Sequence, residues 1–79
     1  MRAVCLESDD WCGIYLDGVL QLEGHRLTDG TDLFFLRFAE MHNLKSTDFK
    51  FDTLEAEDNE VTHKLGGYPK KLLSFIHRY

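Results

Sequence analysis

The chain has 79 residues, fourteen acidic and nine basic, for a formal net charge of −5, with 43% apolar and 13% aromatic residues. That length makes one small domain with a marginal core, since such a chain buries only about 60–65% of the surface it exposes unfolded; the apolar and aromatic shares argue against a disordered chain. No run of 18 apolar residues and no charged-then-apolar leader occurs, so the sequence predicts neither a membrane span nor a signal peptide and reads as cytoplasmic.

The charge is unevenly spread. All fourteen acids fall in residues 1–60, where five bases (Arg2, Arg26, Arg37, Lys45 and Lys50) leave −9, while Lys64, Lys70, Lys71 and Arg78 make residues 61–79 +4. An acidic body argues against nucleic-acid binding by phosphate neutralisation.

In chain order, Arg2 to Leu6 reads as a first strand and Glu7 to Asp10 as a polar turn. Trp11 to Leu16 and Val19 to Glu23 then flank Asp17-Gly18, a hairpin signal because both residue types tolerate positive φ. A two-residue loop sets Leu16 opposite Val19 and mixes polar with apolar residues on one face. A three-residue loop with Gly18 as a bulge sets Ile14 opposite Leu20 and Cys12 opposite Leu22, gives one apolar face, and is the expected register. If the first strand pairs back on the second, Leu6 opposes Trp11 and Cys5 opposes Cys12. The two cysteines are expected to stay reduced in a cytosolic chain.

Thr28 and Thr31 are N-cap candidates, and Asp29 and Asp32 suit the positive end of a helix dipole. A helix over about 29–43 follows, with Phe34, Phe35, Phe38, Ala39, Met41 and His42 on one stripe and Asn43 as a left-handed stop. Leu33, Leu36 and Leu44 fall outside the stripe, so this helix is apolar over more than one side. Asp48 to Leu54 alternates polar and apolar, the mark of a half-buried strand with Phe49 and Phe51 inward and Asp48, Lys50 and Asp52 in water. The acidic run Glu55 to Glu60 is a solvated loop or the start of a short helix through Val61 and Leu65, stopped by Gly66-Gly67. Pro69 opens a C-terminal helix or helical turn carrying Leu72, Leu73, Phe75 and Ile76.

These elements predict an α+β domain: an antiparallel sheet of three to four strands with its hairpin at Asp17-Gly18, packed on one main helix (about 29–43), with a short C-terminal helix. One sheet face carries Ile14, Leu20 and Leu22, the other Val4, Leu6, Trp11 and Tyr15. The first helix covers one of them; the C-terminal segment, a second copy or a partner must cover the other.

No chemistry announces itself. Cys5, Cys12, His25, His42, His63 and His77 lack metal-ligand spacing. Asp29 and Asp32 beside His25, and Glu40 beside His42, are explained by helix ends and solvent. The glycines form no phosphate loop, and Ser8, Ser46 and Ser74 have no nucleophile context. Tyr68, Phe75 and Tyr79 among lysines suggest stacking on nucleic acid only weakly against the acidic body. The acidic residues, Asp48 and Asp52 among them, would serve solubility or imitate phosphates before a basic groove. The expectation is therefore a non-enzymatic protein-interaction module without metal or cofactor, an inhibitor or adaptor of the kind phage and mobile elements encode. Its partner surface is expected at Leu33, Leu36, Arg37 and Leu44, or on an acidic edge with Asp48 and Asp52. The alternative is a self-associating homodimer or accessory subunit.

Overall fold

The structure is a computed structural model that describes residues 2–8, 11–25 and 37–79. Its elements are β1 (Ala3–Ser8), β2 (Trp11–Leu16), β3 (Val19–His25), the helical stretch α1 (residues 37–41), β4 (Phe49–Thr53) and α2 (Ala56–Leu65), with 3-10 turns at Ser46–Asp48 and Leu72–Ser74. The strands form one mixed sheet in the order β3-β2-β1-β4, so the domain is α+β. The N-cap threonines, Asp29, Asp32, Leu33, Leu36 and most of the 29–43 helix lie outside the described residues. The longest described helix is α2, on the run whose start is acidic.

The hairpin turns at Asp17-Gly18 as predicted, with φ of 50° and 85°, the pair of left-handed residues a type I′ turn needs. Its register differs from the expected one. The loop has two residues, with Leu16 opposite Val19 and Tyr15 opposite Leu20; a bulge then leaves Gln21 as the extra residue and sets Ile14 opposite Leu22 and Cys12 opposite Gly24. The bulge removes the conflict that made a short loop unattractive, since one inserted residue flips every side chain beyond it to the opposite face. Leu20 thereby joins Tyr15 rather than Ile14.

The β1–β2 turn is also tighter than expected. Glu7 opposes Cys12, Leu6 opposes Gly13 and Cys5 opposes Ile14, so the cysteines are diagonal neighbours, their Sγ atoms 3.2 Å apart with no disulfide between them. Burial and the Cys12 contact together push the Cys5 thiol up, the contact being the larger cause.

The larger departure is β4, which pairs with β1 in parallel. Period-two alternation marks a strand but carries no information about its neighbour or direction. The connection from β3 to β4 runs from residue 26 to 48, long enough for the crossover that like-directed strands require. Asp48 closes the 3-10 turn rather than opening the strand.

Each sheet face has its own cover. Cys5 and Ile14 are buried with Phe38 of α1, and Cys12, Leu44 and Phe49 pack around them. On the other face Val4, Leu6 and Tyr15 are buried under Tyr68, Leu72, Phe75 and Tyr79, with Trp11 and Leu20 alongside. The C-terminal segment is thus the cover for the Val4–Tyr15 face. Phe75 sits at its centre, edge-on to Tyr15, Tyr68 and Tyr79 at centroid distances of 6.1, 6.0 and 5.5 Å, the geometry favoured by ring quadrupoles.

Except for the Leu72–Ser74 turn this cover is not helical, so its main-chain groups need partners elsewhere. Leu20 N donates to Lys70 O and Leu72 N to Gly18 O, both at 2.8 Å, around an isolated bridge of Val19 with Lys71. Tyr15 donates its hydroxyl to Pro69 O, and Tyr68 N donates to Glu23 Oε1 at 3.0 Å. Burial raises all three tyrosine hydroxyls, Tyr68 to about 12, so each remains a neutral donor at neutral pH.

Helix α2 ends as predicted, at Gly66 with φ 74° and its N–H turned back to His63 O. Asp58, in its first turn, is fully buried at 0% exposure. Its carboxylate accepts from Ile76 N (2.6 Å), His77 N (3.2 Å) and the Tyr79 hydroxyl, and its position near the helix N-terminus suits a negative charge. One carboxylate therefore ties α2 to the chain segment that closes the core.

Candidate protein-interaction surface

The strand order puts β4 at one edge of the described sheet. Leu54 N donates to Glu7 O, which fixes the alternation along the strand. The main-chain groups of Lys50, Asp52 and Leu54 face β1, and those of Phe49, Phe51 and Thr53 face away. The same parity sorts the side chains: Phe49, Phe51 and Thr53 share the face of Cys5, while Lys50 and Asp52 share that of Val4 and Leu6.

From Lys50 to Thr53 the strand is exposed. Phe49 is half-buried, edge-on to Phe38 at 6.5 Å, and Phe51 stacks on Phe49 at 5.9 Å with the ring planes 17° apart. Phe51 nonetheless remains 63% exposed, contrary to the inward placement its alternation predicts. Its register partner Cys5 belongs to the central buried part of the sheet, but Phe51 stands one strand further out, on the rim.

On the opposite face Lys50 Nζ and Asp52 Oδ2 lie 3.9 Å apart, both half exposed, and Asp52 Oδ1 accepts from Thr53 N at 2.9 Å. An exposed pair of this kind contributes little to stability, about 0–1 kcal/mol. The following residues keep this end of the domain acidic: Glu55 and Glu57 are exposed. The Glu57 carboxyl is held below its ordinary value by the main-chain N–H at the helix start and then by His77, 3.2 Å away.

Of the residues expected to meet a partner, Leu33 and Leu36 lie outside the described residues. Arg37 is exposed, at the start of the described part of α1. Leu44 is half-buried against the Cys5–Ile14–Phe38 cluster, so its side chain is partly spent on the fold. Asp48 turns its carboxylate onto Lys45 N at 2.7 Å and caps the 3-10 turn. Asp52 does lie on the exposed edge. Asp52, but not Leu44, therefore lies on the same exposed edge strand as Phe51, the aromatic residue expected in the core, with the two side chains on opposite sheet faces.

The remaining chemistry-bearing residues are dispersed. His42 packs against Phe38 with ring centroids 4.5 Å apart and planes tilted by 42°, and His77 pairs with Glu57 at the surface. Among the described residues no three His, Cys, Asp or Glu side chains converge as metal ligands, and no helix is long and apolar enough to cross a membrane. An open groove of about 530 Å³ runs between the hairpin tip and the C-terminal segment, lined by Arg2, Asp17, Leu73 and Arg78 among others. Arg2 spends its charge there on the Tyr79 main-chain oxygen. Comparison with protein-family models, with curated proteins and with solved structures returned no match.

Proposed function

We propose that this domain is a small acidic protein-interaction module whose partner docks on the outer edge of β4. The observation that carries the reading is Phe51: a large aromatic ring, 63% exposed, on an edge strand whose adjacent residues Lys50 and Asp52 carry opposite charges on the other sheet face. Exposed aromatic rings framed by polar groups are the usual anchors of protein interfaces, and an edge strand offers main-chain pairing beside them. Val19 and Leu22 on the other edge strand, β3, are less exposed, at 38% and 40%, and the Val19 end of that edge is bridged by Lys71; Met41, Leu65, Leu73 and Ile76 do not lie on a described strand.

On this reading the domain acts by occupying or bridging a partner, as an inhibitor or adaptor of the phage or mobile-element kind does, without cofactor or chemistry of its own. It works in the cytoplasm, where the Cys5 and Cys12 thiols stay reduced. The test is Phe51→Glu, examined by affinity capture with the tagged protein beside the parent chain. The ring is mostly in water, so the fold is expected to persist with an unchanged far-UV spectrum. The captured partner is expected to fall at least tenfold, as loss of an interface anchor worth about 2 kcal/mol requires. Undiminished capture by a folded F51E protein overturns the reading.

A further inference from the structure

We propose that the occupant of this edge is a second copy of the chain, with two β4 strands pairing antiparallel about a two-fold axis through Phe51. The inference rests on the edge reading above and names its partner.

Along β4 the order is Phe49, Lys50, Phe51, Asp52, Thr53, with opposite charges one step either side of the central ring. A two-fold axis at Phe51 sets Phe51 against itself, Phe49 against Thr53 of the second copy, and Lys50 against Asp52 of the second copy. An isologous contact requires that kind of self-complementarity. Within the strand, this is the register that pairs all five residues.

Main-chain parity agrees with it. The outward-facing residues are Phe49, Phe51 and Thr53, and these become the hydrogen-bonded pairs. Lys50 and Asp52 then fall in non-hydrogen-bonded pairs, where opposed Cα atoms approach to about 4.5 Å and side chains are closest. Asp52 now bridges Lys50 of its own strand at 3.9 Å and accepts from Thr53 N. Pairing gives Thr53 N a main-chain carbonyl and turns both carboxylates onto the opposite strand's lysines. Charge on an edge strand ordinarily serves to prevent pairing; here Lys50 and Asp52 meet each other in this register, and moving the axis one residue to either side sets lysine against lysine or aspartate against aspartate.

The test uses charge reversal and solution mass, by sedimentation equilibrium across the micromolar range at low salt. The parent chain is expected to move from 9.2 kDa towards twice that mass. Lys50→Glu sets carboxylate against carboxylate across the axis, and Asp52→Lys sets ammonium against ammonium, so each variant alone is expected to remain monomeric. An equimolar mixture of K50E and D52K faces an acidic strand with a basic one and is expected to recover the double mass as a heterodimer. Only folded variants can recover it, which separates repulsion from unfolding. A parent chain that stays monomeric, or a dimer indifferent to both single reversals, overturns the proposal. In either event the F51E capture experiment still decides whether the edge binds a different protein.

Discussion

Asp58→Ala is expected to be the most damaging single substitution away from the interaction edge. The change strips the acceptor from Ile76 N, His77 N and the Tyr79 hydroxyl at a site with 0% exposure. A buried donor left without a partner costs about 1–3 kcal/mol, so losing all three should lower the unfolding free energy by at least about 3 kcal/mol. Against the roughly 4–12 kcal/mol available to a domain of this length, that is a large fraction. Urea unfolding followed by fluorescence measures it as a fall in midpoint, and the C-terminal cover should detach first. A loss below about 1 kcal/mol would mean that the carboxylate does not hold this segment.

Gly13→Ala is the second. A Cβ at Gly13 would lie 2.4 Å from Tyr68 Cδ2 and 2.8 Å from Cε2, so the ring must move. It has little room, being buried, with its hydroxyl near Ser8 Oγ (3.1 Å), Leu6 O (3.2 Å) and Trp11 O (3.3 Å). Overpacking of this kind costs about 1–3 kcal/mol, to which displaced hydroxyl contacts add. Thermal melting should register a drop of several degrees, and substitution of Tyr68 by Leu in the G13A background should restore part of it. Full stability of G13A alone would contradict the close packing of ring on glycine.

The parts of the fold legible from the sequence were those set by neighbouring residues. Asp17-Gly18, Asn43 and Gly66 all adopt positive φ, because left-handed backbone is a local requirement that residue type can satisfy. The division of apolar residues between sheet faces was readable for Val4, Leu6, Trp11 and Tyr15, which lie together under the C-terminal segment, but not for Leu20, which the bulge moves from the Ile14 face to theirs. What local pattern could not carry was pairing across distance. The bulge at Gln21 and the parallel placement of β4 on β1 each depend on a partner strand.

Two features of the site and its support were hidden for the same reason. Asp58 sits in an acidic run that reads as solvated; its partners are eighteen to twenty-one residues away, and nothing near it in the chain marks it as interior. Phe51 reads as core because it alternates with Lys50 and Asp52, and strand periodicity cannot distinguish the middle of a sheet from its rim. The one hint was the charge order around it: opposite signs on either side of an aromatic ring are unnecessary for solubility and suit an edge that recognises a complement.

The most direct test of the account replaces Phe51 with the photoreactive analogue p-benzoylphenylalanine, which keeps an aromatic ring at the exposed position. On irradiation in solution the label should join its chain to another polypeptide, as an adduct of twice 9.2 kDa if the neighbour is a second copy. The same label at Leu65, exposed to 61% on α2, should yield little. Equal adduct from both positions, or none from position 51, would contradict the claim that the β4 edge is where this protein meets its partner.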